Sequence, residues 1–572
     1  MSTPRSVEEL SGTYDFVVLG SGASGLTGAL VAAIGGARVL VLEKSDLIGG
    51  TTAMSGGGVW VPCNRHMGEV GVDDSRDEAL AYLRACAGPA GDDDHIVALV
   101  DHGPRMIELL EDEGGVAFEP WPAIGGTIDY RPWLPGAKHG GRALNSLRIP
   151  LSELGEWGSK LRKEPASRWR VNPLDYYSKE MHLMRPVPAS AGGGGWGALN
   201  ALSLGATDEE EEAYGRGTGL VAHLLRGALN HGVHVHTDAP VTRLVVEGGR
   251  VVGVAVAGGV GETEIEARHG VLVATGGFTN NEELKRLWLM RPLEFTCDVE
   301  SNQGDGHLMG ASIGAQLAGL GDAWWMPHLQ LGGEPGVVNV GGSREDRILP
   351  HTIIVNGTGR RFMNEATNYY DVGEHFGDRV GAAPRNFPAW FIFDQQGVER
   401  YALLAWKLPQ AGQPAEFLKV GETIEDLARQ LELEAHVLRD TIERFNGFAR
   451  NGVDEEFQRG GNPWDLAWGD PECSPNPCLG TLEKGPFYAI RVLTGALATR
   501  GGLRVNARAE VLAAKDGNPI PGFYAAGNCS NGGPAGTYAG PGSTLGAGMT
   551  FGYLAAQQVV AGLASVQSSG RR

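Results

Sequence analysis

Cysteine, positive charge and long apolar runs are all scarce in this sequence, and each shortage excludes a kind of protein. The 572-residue chain has six cysteines, none in a CxxC motif and none followed by histidine at the spacing of haem attachment. Cys473 and Cys478 stand close enough in sequence to pair, but unpaired thiols in a reduced protein are the simpler interpretation. No apolar run is long enough to span a membrane, and the N-terminus is too polar for a signal peptide. We therefore expect a soluble cytoplasmic protein with no transmembrane segment.

Basic residues are outnumbered, since 48 lysines and arginines face 68 aspartates and glutamates and the net charge is −20. A charge of this sign argues against nucleic acid or an anionic membrane as the main partner. Glycine, in contrast, is abundant at 88 residues and clusters in loops, as expected of a chain that wraps its backbone around a cofactor. The length is too great for one hydrophobic core, so two domains are expected.

Residues 20–25 (GSGASG) form a glycine-rich turn that follows an apolar run typical of a buried parallel strand. A small, apolar helical stretch comes next, and then a second strand that ends on Glu43. This order of strand, GxGxxG turn, helix, strand and acid is typical of a dinucleotide-binding unit. Gly20 permits the tight turn, Gly22 lets a pyrophosphate approach the backbone, and Gly25 lets helix and strand pack closely. The helix N-terminus faces the phosphates, and Glu43 is placed to accept hydrogen bonds from a ribose.

Three further segments have the composition expected of a flavin site. Residues 49–60 (GGTTAMSGGGVW) suit a loop that runs under a large flat ring system, the alternative being an ordinary glycine loop. The apolar strand at 270–274 ends in Thr-Gly-Gly-Phe, and a helix starting at Thr544 can point its amides at the flavin pyrimidine edge. Together these segments predict an FAD site made of Gly20, Gly22, Ala23, Ser24, Gly25, Glu43, Gly50, Thr51, Thr52, Ser55, Gly56, Gly57, Gly58, Ala274, Gly276, Gly277, Asp305, Gly527, Asn528, Thr544 and Leu545.

The segment from 327 to 498 has a different pattern. It contains short apolar strands and, over residues 423–450, amphipathic helices, after which the chain returns to the pattern of the nucleotide domain. We therefore predict an α/β fold, in which residues 1–326 and 499–572 form a Rossmann-like FAD-binding domain and residues 327–498 an inserted α+β catalytic (capping) domain. Residues 150–215 are predicted to form an excursion packed over the nucleotide domain, with a basic and aromatic part that is either solvated or on a membrane surface.

Several motifs outside the glycine turn are shared with one flavoprotein family. They are Ser55-Gly56-Gly57-Gly58-Val59-Trp60, Asp129-Tyr130, Ala323-Trp324-Trp325, the GRRFMNE run at 359–365 with Tyr369, Gly501-Gly502, Ala525-Ala526-Gly527-Asn528, and the TYAGPGSTLG run at 537–546. With these motifs the chain resembles the 3-ketosteroid dehydrogenases, relatives of the fumarate reductase flavoproteins, from about residue 14 to residue 560.

The resemblance implies FAD-dependent α,β-desaturation of a cyclic ketone, of the 3-ketosteroid 1-dehydrogenase type. Tyr538 and the amide of Gly542 would hold the substrate carbonyl, Tyr369 would remove the α-proton, Tyr130 would support Tyr369, and the β-hydride would pass to flavin N5. A hydroxyl and an amide on the carbonyl oxygen would acidify the α C–H by stabilising the developing enolate. An unperturbed tyrosine has a pKa of about 10, so Tyr369 acts near neutrality only if its phenolate is stabilised or its proton is passed on. An electron acceptor, which the sequence does not identify, must reoxidise the flavin.

The sequence departs from the family pattern at positions near these residues. Residues 538–542 read YAGPG where the family usually has YPGPG, and residues 494–499 read TGALAT where it usually has PGDLGT. Asn368 stands before the proposed base in place of the common proline, and Arg131 replaces what is often an aromatic residue. These changes predict a retained core chemistry with an altered pocket lining.

Three alternative functions remain open. The main one is desaturation of a smaller ring ketone, similar to the cyclohexanone dehydrogenases. A fumarate-type reductase must bind two carboxylates, for which arginine and histidine are suited, yet neither occurs between Arg508 and Arg571. A flavin-binding module without activity would not need tyrosines at all three matched positions.

The sequence also bears on how the FAD is attached. Succinate dehydrogenases place their flavin-linked histidine in the segment that corresponds to residues 49–60, and this segment contains no histidine here. We therefore expect non-covalent FAD.

Overall fold

The computed structural model describes most of the chain, namely residues 12–120, 129–163, 213–258, 261–330, 346–380, 383–384, 386–401, 417–533 and 537–569. The predicted excursion lies outside these residues from 164 to 212. Its described beginning, the 3₁₀ helix Leu151–Lys160, buries Leu154 and Trp157 in the main core, so this part packs on the nucleotide domain as predicted.

The centre of the fold is a six-stranded sheet. Its strands lie in the order Glu510–Leu512, Pro519–Ala525, Val271–Val273, Phe16–Leu19, Val39–Leu42 and His234–His236. Neighbouring strands are parallel except for the first pair. All residues of the two strands beside the glycine turn are buried, as both faces of a parallel sheet are covered. The apolar run before the glycine turn, residues 14–19, is divided at Asp15: Phe16–Leu19 lies in this sheet, whereas Thr13–Tyr14 pairs with a strand of a different sheet.

Two helices cover this sheet close to the glycine turn. Ala23–Ile34 packs against the long C-terminal helix Ser543–Ser569, and glycines make the close approach possible. A Cβ at Gly552 would lie 2.3 Å from the Ser24 carbonyl oxygen, and one at Gly548 would lie 2.4 Å from the Ser24 hydroxyl. Only glycine leaves room for this approach, so the first turn of Ala23–Ile34 lies directly against Gly548 and Gly552 of the C-terminal helix.

A second core forms around a five-stranded antiparallel sheet. Its strands are His328–Leu329, Thr352–Asn356, Ala389–Asp394, Leu418–Gly421 and Phe487–Leu493. Helices Ile424–Gln430 and Ala435–Asn451 cover one face. All of these elements lie within the predicted insert. The strand Leu317–Trp325 ends just before the first predicted boundary, and its partner Gly495–Leu503 runs across the second. The domain division itself stays a prediction.

The remaining elements complete these layers. The other helices are Gly50–Met54, Arg76–Ala87, Asp93–Asp112, Arg216–Asn230, Glu282–Trp288, Asp305–Ser312, Tyr369–His375, Gln395–Tyr401 and Pro463–Trp468, with short 3₁₀ turns at Met67–Val70, Gly88–Ala90, Asp346–Ile348 and Gly527–Cys529. The other strands are Val59–Trp60, Phe118–Pro120, Ala143–Ser146, Ile149–Pro150, Ala213–Tyr214, Val241–Glu247, Arg250–Gly258, Gly261–Ala267, Phe295–Thr296, Arg379–Val380 and Ala383–Pro384.

Two general features bear on the sequence predictions. All six cysteines are free thiols, including Cys473 and Cys478. Within the described ranges, no helix combines the length and the apolar character that crossing a bilayer would need.

Candidate active site

A cleft opens where the parallel strands of the central sheet end. It contains about 810 Å³ of space not filled by protein atoms, part of it open to solvent. Most of the predicted FAD-binding residues line it, namely Gly20, Gly22, Ala23, Ser24, Glu43, Gly50, Thr51, Thr52, Ala274, Gly276, Asp305, Gly527, Asn528, Thr544 and Leu545.

The cleft fits a dinucleotide with a flat ring system. The N-terminus of Ala23–Ile34 opens on it beside Gly22, and the N-terminus of Ser543–Ser569 opens on it at Thr544. Both helix ends favour negative charge, such as a pyrophosphate or an electron-rich ring. Gly20 has a φ of 101°, and a Cβ there would lie 2.4 Å from the Ala274 carbonyl oxygen, so only glycine allows this turn.

Six of the predicted residues lie outside the lining: Gly25, Ser55, Gly56, Gly57, Gly58 and Gly277. Three of them are instead packed tightly against other parts of the protein. A Cβ at Gly25 would lie 2.1 Å from the Gly20 carbonyl oxygen, and one at Gly57 would lie 2.2 Å from the backbone of Arg216. At Gly277, a Cβ would lie 2.3 Å from the Thr499 hydroxyl. These glycines shape the site by close packing, and a direct contact with the cofactor stays a prediction for them.

Sequence reasoning missed five residues of the lining: Ser21, Lys44, Thr275, Ser301 and Asn302. The Lys44 ammonium forms an ion pair with Asp305 at 2.8 Å and also donates to the Ser301 carbonyl oxygen at 3.0 Å. Three of them, Ser21, Lys44 and Thr275, directly adjoin predicted residues in the sequence. This adjacency could have identified them as lining residues.

A buried carboxylate supports the lining from behind. Asp298 accepts hydrogen bonds from the Thr279 hydroxyl at 2.5 Å and the Asn302 amide at 2.6 Å, and from the Thr51 hydroxyl. Burial raises the pKa of the Asp298 carboxyl, although these donors act in the opposite direction. Because the Thr51 proton is directed to Asp298, the Thr51 oxygen is left as an acceptor, and the Asn302 amide donates to it at 2.9 Å.

The three predicted catalytic tyrosines lie together. The ring centroids of Tyr130 and Tyr369 are 5.5 Å apart, those of Tyr130 and Tyr538 are 5.4 Å apart, and those of Tyr369 and Tyr538 are 5.5 Å apart. All three side chains are buried. They come from chain segments far apart in sequence, so the fold brings them together as predicted.

This tyrosine cluster (Tyr130, Tyr369 and Tyr538) adjoins the cleft through Trp324. The Trp324 indole donates to the Asn528 amide oxygen at 2.9 Å, and Asn528 lines the cleft. The same indole ring lies edge-on to Tyr538 at 5.5 Å. Trp324 therefore connects the tyrosine cluster to the wall of the cleft.

Gly542 lies between the tyrosine cluster and the C-terminal helix. Its φ is 86°, and a Cβ there would lie 2.1 Å from the Gly58 carbonyl oxygen, so the position requires glycine. Its carbonyl oxygen accepts from the Trp60 amide at 3.1 Å. On the other side of the loop, the Ala539 carbonyl oxygen accepts from the Tyr130 amide at 3.0 Å and the Tyr82 hydroxyl at 2.6 Å.

Buried ion pairs fix the segments that precede two of the tyrosines. Asp129, before Tyr130, accepts from Arg142 at 2.9 Å and from the Trp60 indole at 2.8 Å. In the GRRFMNE motif, Arg361 binds Glu365 at 2.7 Å and Asp454 at 2.8 Å. Burial disfavours the charged Glu365, but Arg361 outweighs it and holds the pKa of that carboxyl below its usual range. The motif that leads to Tyr369 is thus held by buried ion pairs.

Sequence reasoning also missed Tyr370, Arg500 and Trp464. The Tyr370 ring lies 5.6 Å from Tyr538, and its hydroxyl accepts from Arg500 at 3.2 Å. Arg500 is paired with Asp322 at 2.7 Å, and burial raises the pKa of Tyr370. Trp464 lies edge-on to Tyr130 at 5.0 Å. Tyr370 and Arg500 directly adjoin motif positions, whereas nothing in the sequence pointed to Trp464.

The chain is similar to known flavoproteins over nearly its whole length. The family whose pattern it matches is described as an FAD binding domain, over residues 15–545. A 3-oxosteroid 1-dehydrogenase of Mycolicibacterium smegmatis is 38% identical, over 96% of this chain and 97% of its own length. A 4-oxocyclohexanecarboxylate 2-dehydrogenase of Sinomonas cyclohexanicum is also 38% identical, over 100% of this chain and 96% of its own length.

A solved structure extends the likeness to three dimensions. The 3-ketosteroid delta1-dehydrogenase of Sterolibacterium denitrificans, in complex with 1,4-androstadiene-3,17-dione, has a TM-score of 0.85 and 32% identity to this chain. The match covers 96% of this chain and 100% of that one, so it includes both the central sheet and the five-stranded sheet. The predicted α/β flavoprotein fold is confirmed, and the chain belongs to the 3-ketosteroid dehydrogenase family of FAD-dependent oxidoreductases.

Proposed function

We propose that this protein desaturates a cyclic ketone by removing an α-proton and a β-hydride from adjacent carbons beside the carbonyl. The observation that carries the proposal is the tyrosine cluster, which lies next to Gly542 and to the cleft that fits FAD. A 3-ketosteroid is the first candidate substrate, in keeping with the relatives.

Tyr538 and Gly542 are assigned to the carbonyl oxygen. The hydroxyl and the backbone amide would both donate to it, and donors of this kind stabilise a developing enolate by roughly 3–4 kcal/mol each. The loop that carries them is pinned by the contacts of Gly542 with Trp60 and Gly58. Such pinning matters because the donors must already point at the oxygen when charge develops.

Tyr369 is assigned as the base and Tyr130 as its support. Proton transfer needs the acceptor oxygen within about 3 Å of the group that loses the proton. Tyr369 is the first residue of its helix, and Asn368 caps that helix by accepting from the Asp371 amide at 3.0 Å. The position of the tyrosine ring is therefore set by a local turn as well as by the tyrosines around it.

We propose that the FAD is held without a covalent bond, since residues 49–60 contain no histidine. When bound, FAD supplies the hydride acceptor at flavin N5. Acid precipitation of the yellow protein should leave the flavin in solution, and flavin that stays with the precipitate would contradict this point. An electron acceptor must take up two electrons in each cycle.

The site is proposed to lie between the FAD-binding domain and the insert of residues 327–498. Tyr369 belongs to the insert, while Tyr130 and Tyr538 belong to the other domain. All three tyrosines are buried, which would keep water away from the proton-transfer step.

A monocyclic ketone is the second candidate substrate, and two observations favour it. The relative that acts on 4-oxocyclohexanecarboxylate matches this chain at the same 38% identity and over its full length. In addition, residues 538–542 and 494–499 depart from the pattern usual in the steroid 1-dehydrogenases, which favours a pocket lining different from theirs.

Anaerobic bleaching of the flavin tests the proposal and separates the two candidates. The purified protein is mixed with a 3-ketosteroid, cyclohexanone or 4-oxocyclohexanecarboxylate, and the loss of flavin absorbance is followed without oxygen. Rapid bleaching by the steroid supports the first candidate, and bleaching by a monocyclic ketone alone supports the second. No bleaching by any ring ketone would contradict the function itself.

A further inference from the structure

We infer that Arg131 is a positioning residue that holds together the three chain segments carrying the tyrosine cluster. The inference rests on the proposed function. Arg131 directly follows Tyr130 in the chain. Its Nη1 donates to the Thr537 hydroxyl at 2.8 Å, and its Nη2 forms an ion pair with Asp371. Thr537 directly precedes Tyr538, and Asp371 lies two residues after Tyr369, so one guanidinium joins all three segments.

Asp371 passes this connection on to the start of the Tyr369 helix. Its second carboxylate oxygen accepts from the Asn368 amide at 2.9 Å, and its backbone amide donates back to Asn368 at 3.0 Å. The Asn368 amide also donates to the Tyr130 carbonyl oxygen at 3.4 Å. Tyr369 is therefore bracketed by two residues that are both tied to the Tyr130 segment.

The ion pair is strong enough to matter because it is largely shielded from water. The side chains of Arg131 and Asp371 are only 17% and 19% exposed. Burial opposes the charge on Arg131, but Asp371 outweighs it and raises the pKa of the guanidinium. Attraction between charges increases as water is excluded. The planar fork of arginine donates to the two acceptors from two different nitrogens, whereas lysine has a single ammonium nitrogen.

These contacts distinguish positioning from substrate binding. Nη1 and Nη2 are already directed at Thr537 and Asp371 in the structure, so Arg131 acts through the groups that carry the tyrosines. Loss of this connection should misplace the base relative to the carbonyl donors. A misplacement of 1 Å can cost about 100-fold in rate, and it should reduce kcat far more than it changes KM.

Substitutions on both sides of the ion pair test the inference. We expect R131M to lower kcat about 100-fold, as a 1 Å misplacement does, while KM stays within about threefold and FAD content is unchanged. R131K should be intermediate, because it keeps the charge and loses one acceptor. Exchange of the substrate α-proton with deuterated water should fall in parallel with kcat. The matched control is R76M, which breaks the exposed pair of Arg76 with Asp101 (2.6 and 3.0 Å) and should leave both constants unchanged.

The double variant R131M/D371N shows whether the two residues act as a unit. If they do, the double variant loses no more activity than the worse single variant. Losses that multiply would overturn the inference. A kcat of R131M within threefold of the wild-type value would also overturn the inference. A KM raised tenfold with kcat unchanged would do the same, because it would mean that Arg131 binds the substrate directly.

Amide hydrogen exchange tests the role of Arg131 without turnover, so its outcome is separate from the test of the proposed function. If the wild-type protein oxidises no ring ketone, the proposed function is wrong. Amide hydrogen exchange then still decides whether Arg131 joins the segments of the tyrosine cluster. R131M should speed exchange in both segments that the arginine joins, residues 369–375 and 537–542, and R76M in neither. Faster exchange in only one segment, or in none, would overturn the inference.

Discussion

The carboxylate of Glu43 holds Ser21, the second residue of the glycine turn. One carboxylate oxygen accepts from the Ser21 amide at 3.0 Å and from its hydroxyl at 2.6 Å, and the other accepts from the Ser45 amide at 2.9 Å. The acid predicted to bind a ribose therefore also fixes the turn that faces the pyrophosphate. A carboxylate offers about four lone-pair positions, so both roles are compatible.

Removal of this carboxylate should weaken FAD binding and the fold together. Glu43→Ala leaves the buried Ser21 amide without its partner, which costs about 1–3 kcal/mol. Ser21→Ala removes the hydroxyl, which donates to Glu43 and accepts from the Gly49 amide at 2.9 Å, and it should also cost about 1–3 kcal/mol. Flavin release during dilution and the melting temperature measure the two effects. The control is Ser159→Ala, which removes a single exposed hydroxyl contact with the Glu156 carbonyl oxygen (2.8 Å). Normal FAD affinity in Glu43→Ala would contradict the assignment.

The two hydroxyls assigned to the reaction should fail at different steps. Tyr369→Phe removes the base, so both desaturation and exchange of the α-proton with deuterated solvent should disappear. Tyr538→Phe removes a carbonyl donor and should slow turnover by about 100- to 1,000-fold, as for other oxyanion donors. FAD content should not change in either variant. Stopped-flow bleaching and mass spectrometry of recovered substrate provide the readouts.

The control for these variants is Tyr488→Phe. The Tyr488 hydroxyl donates to Gln395 at 2.8 Å on the five-stranded sheet, away from the tyrosine cluster. Near-normal turnover by Tyr369→Phe would remove this residue from the mechanism and point to another base in the same pocket.

The parts of the site that were predictable from sequence are those set by local spacing. Gly20, Gly22 and Glu43 follow from the order of strand, turn, helix and strand, and each contributes to the cleft where expected. The tyrosine cluster came from motif resemblance, and the structure places its rings in contact. In both cases a short pattern carries the information.

What could not be predicted depends on contacts between distant segments. Arg131 and Asp371 are 240 positions apart, and no periodicity signals that they meet. Asp298 supports Thr51 across 247 positions. Gly57 and Gly277 were assigned to the cofactor because they stand in glycine-rich loops, but composition does not reveal that their tight contacts are with protein backbone or side chains. Tertiary packing decides such details.

Gly542 should tolerate no side chain. Gly542→Ala combines a φ of 86° with a Cβ only 2.1 Å from the Gly58 carbonyl oxygen, so the loop must shift and the proposed amide donor moves with it. Backbone strain of this kind costs about 1–3 kcal/mol. We expect a lower melting temperature and a loss of turnover of at least 100-fold. Gly533→Ala, where no atom lies within 4 Å of the added Cβ, is the control. Full activity of Gly542→Ala would refute the amide assignment.

Buried neutral histidines should make the protein sensitive to acid. Burial lowers the pKa of His307 from 6.5 to about 4, and the same holds for His223 and His328. Because the pKa is lower in the folded state, the unfolded chain takes up the proton first as the pH falls. The stability from each histidine is complete above pH 6.5 and is lost as the pH falls to about 4, by up to roughly 3 kcal/mol.

His307→Gln isolates one of these contributions. The His307 Nε2 donates to the Gly501 carbonyl oxygen at 3.1 Å, and a glutamine amide can replace that donor without titrating. The melting temperature of the variant should therefore fall less steeply than that of the wild type between pH 6.5 and pH 4, because one proton fewer is taken up on unfolding. His436→Gln, at an exposed position of the helix Ala435–Asn451, is the control and should follow the wild type. Parallel curves for His307→Gln and the wild type would show that His307 does not contribute to the acid sensitivity.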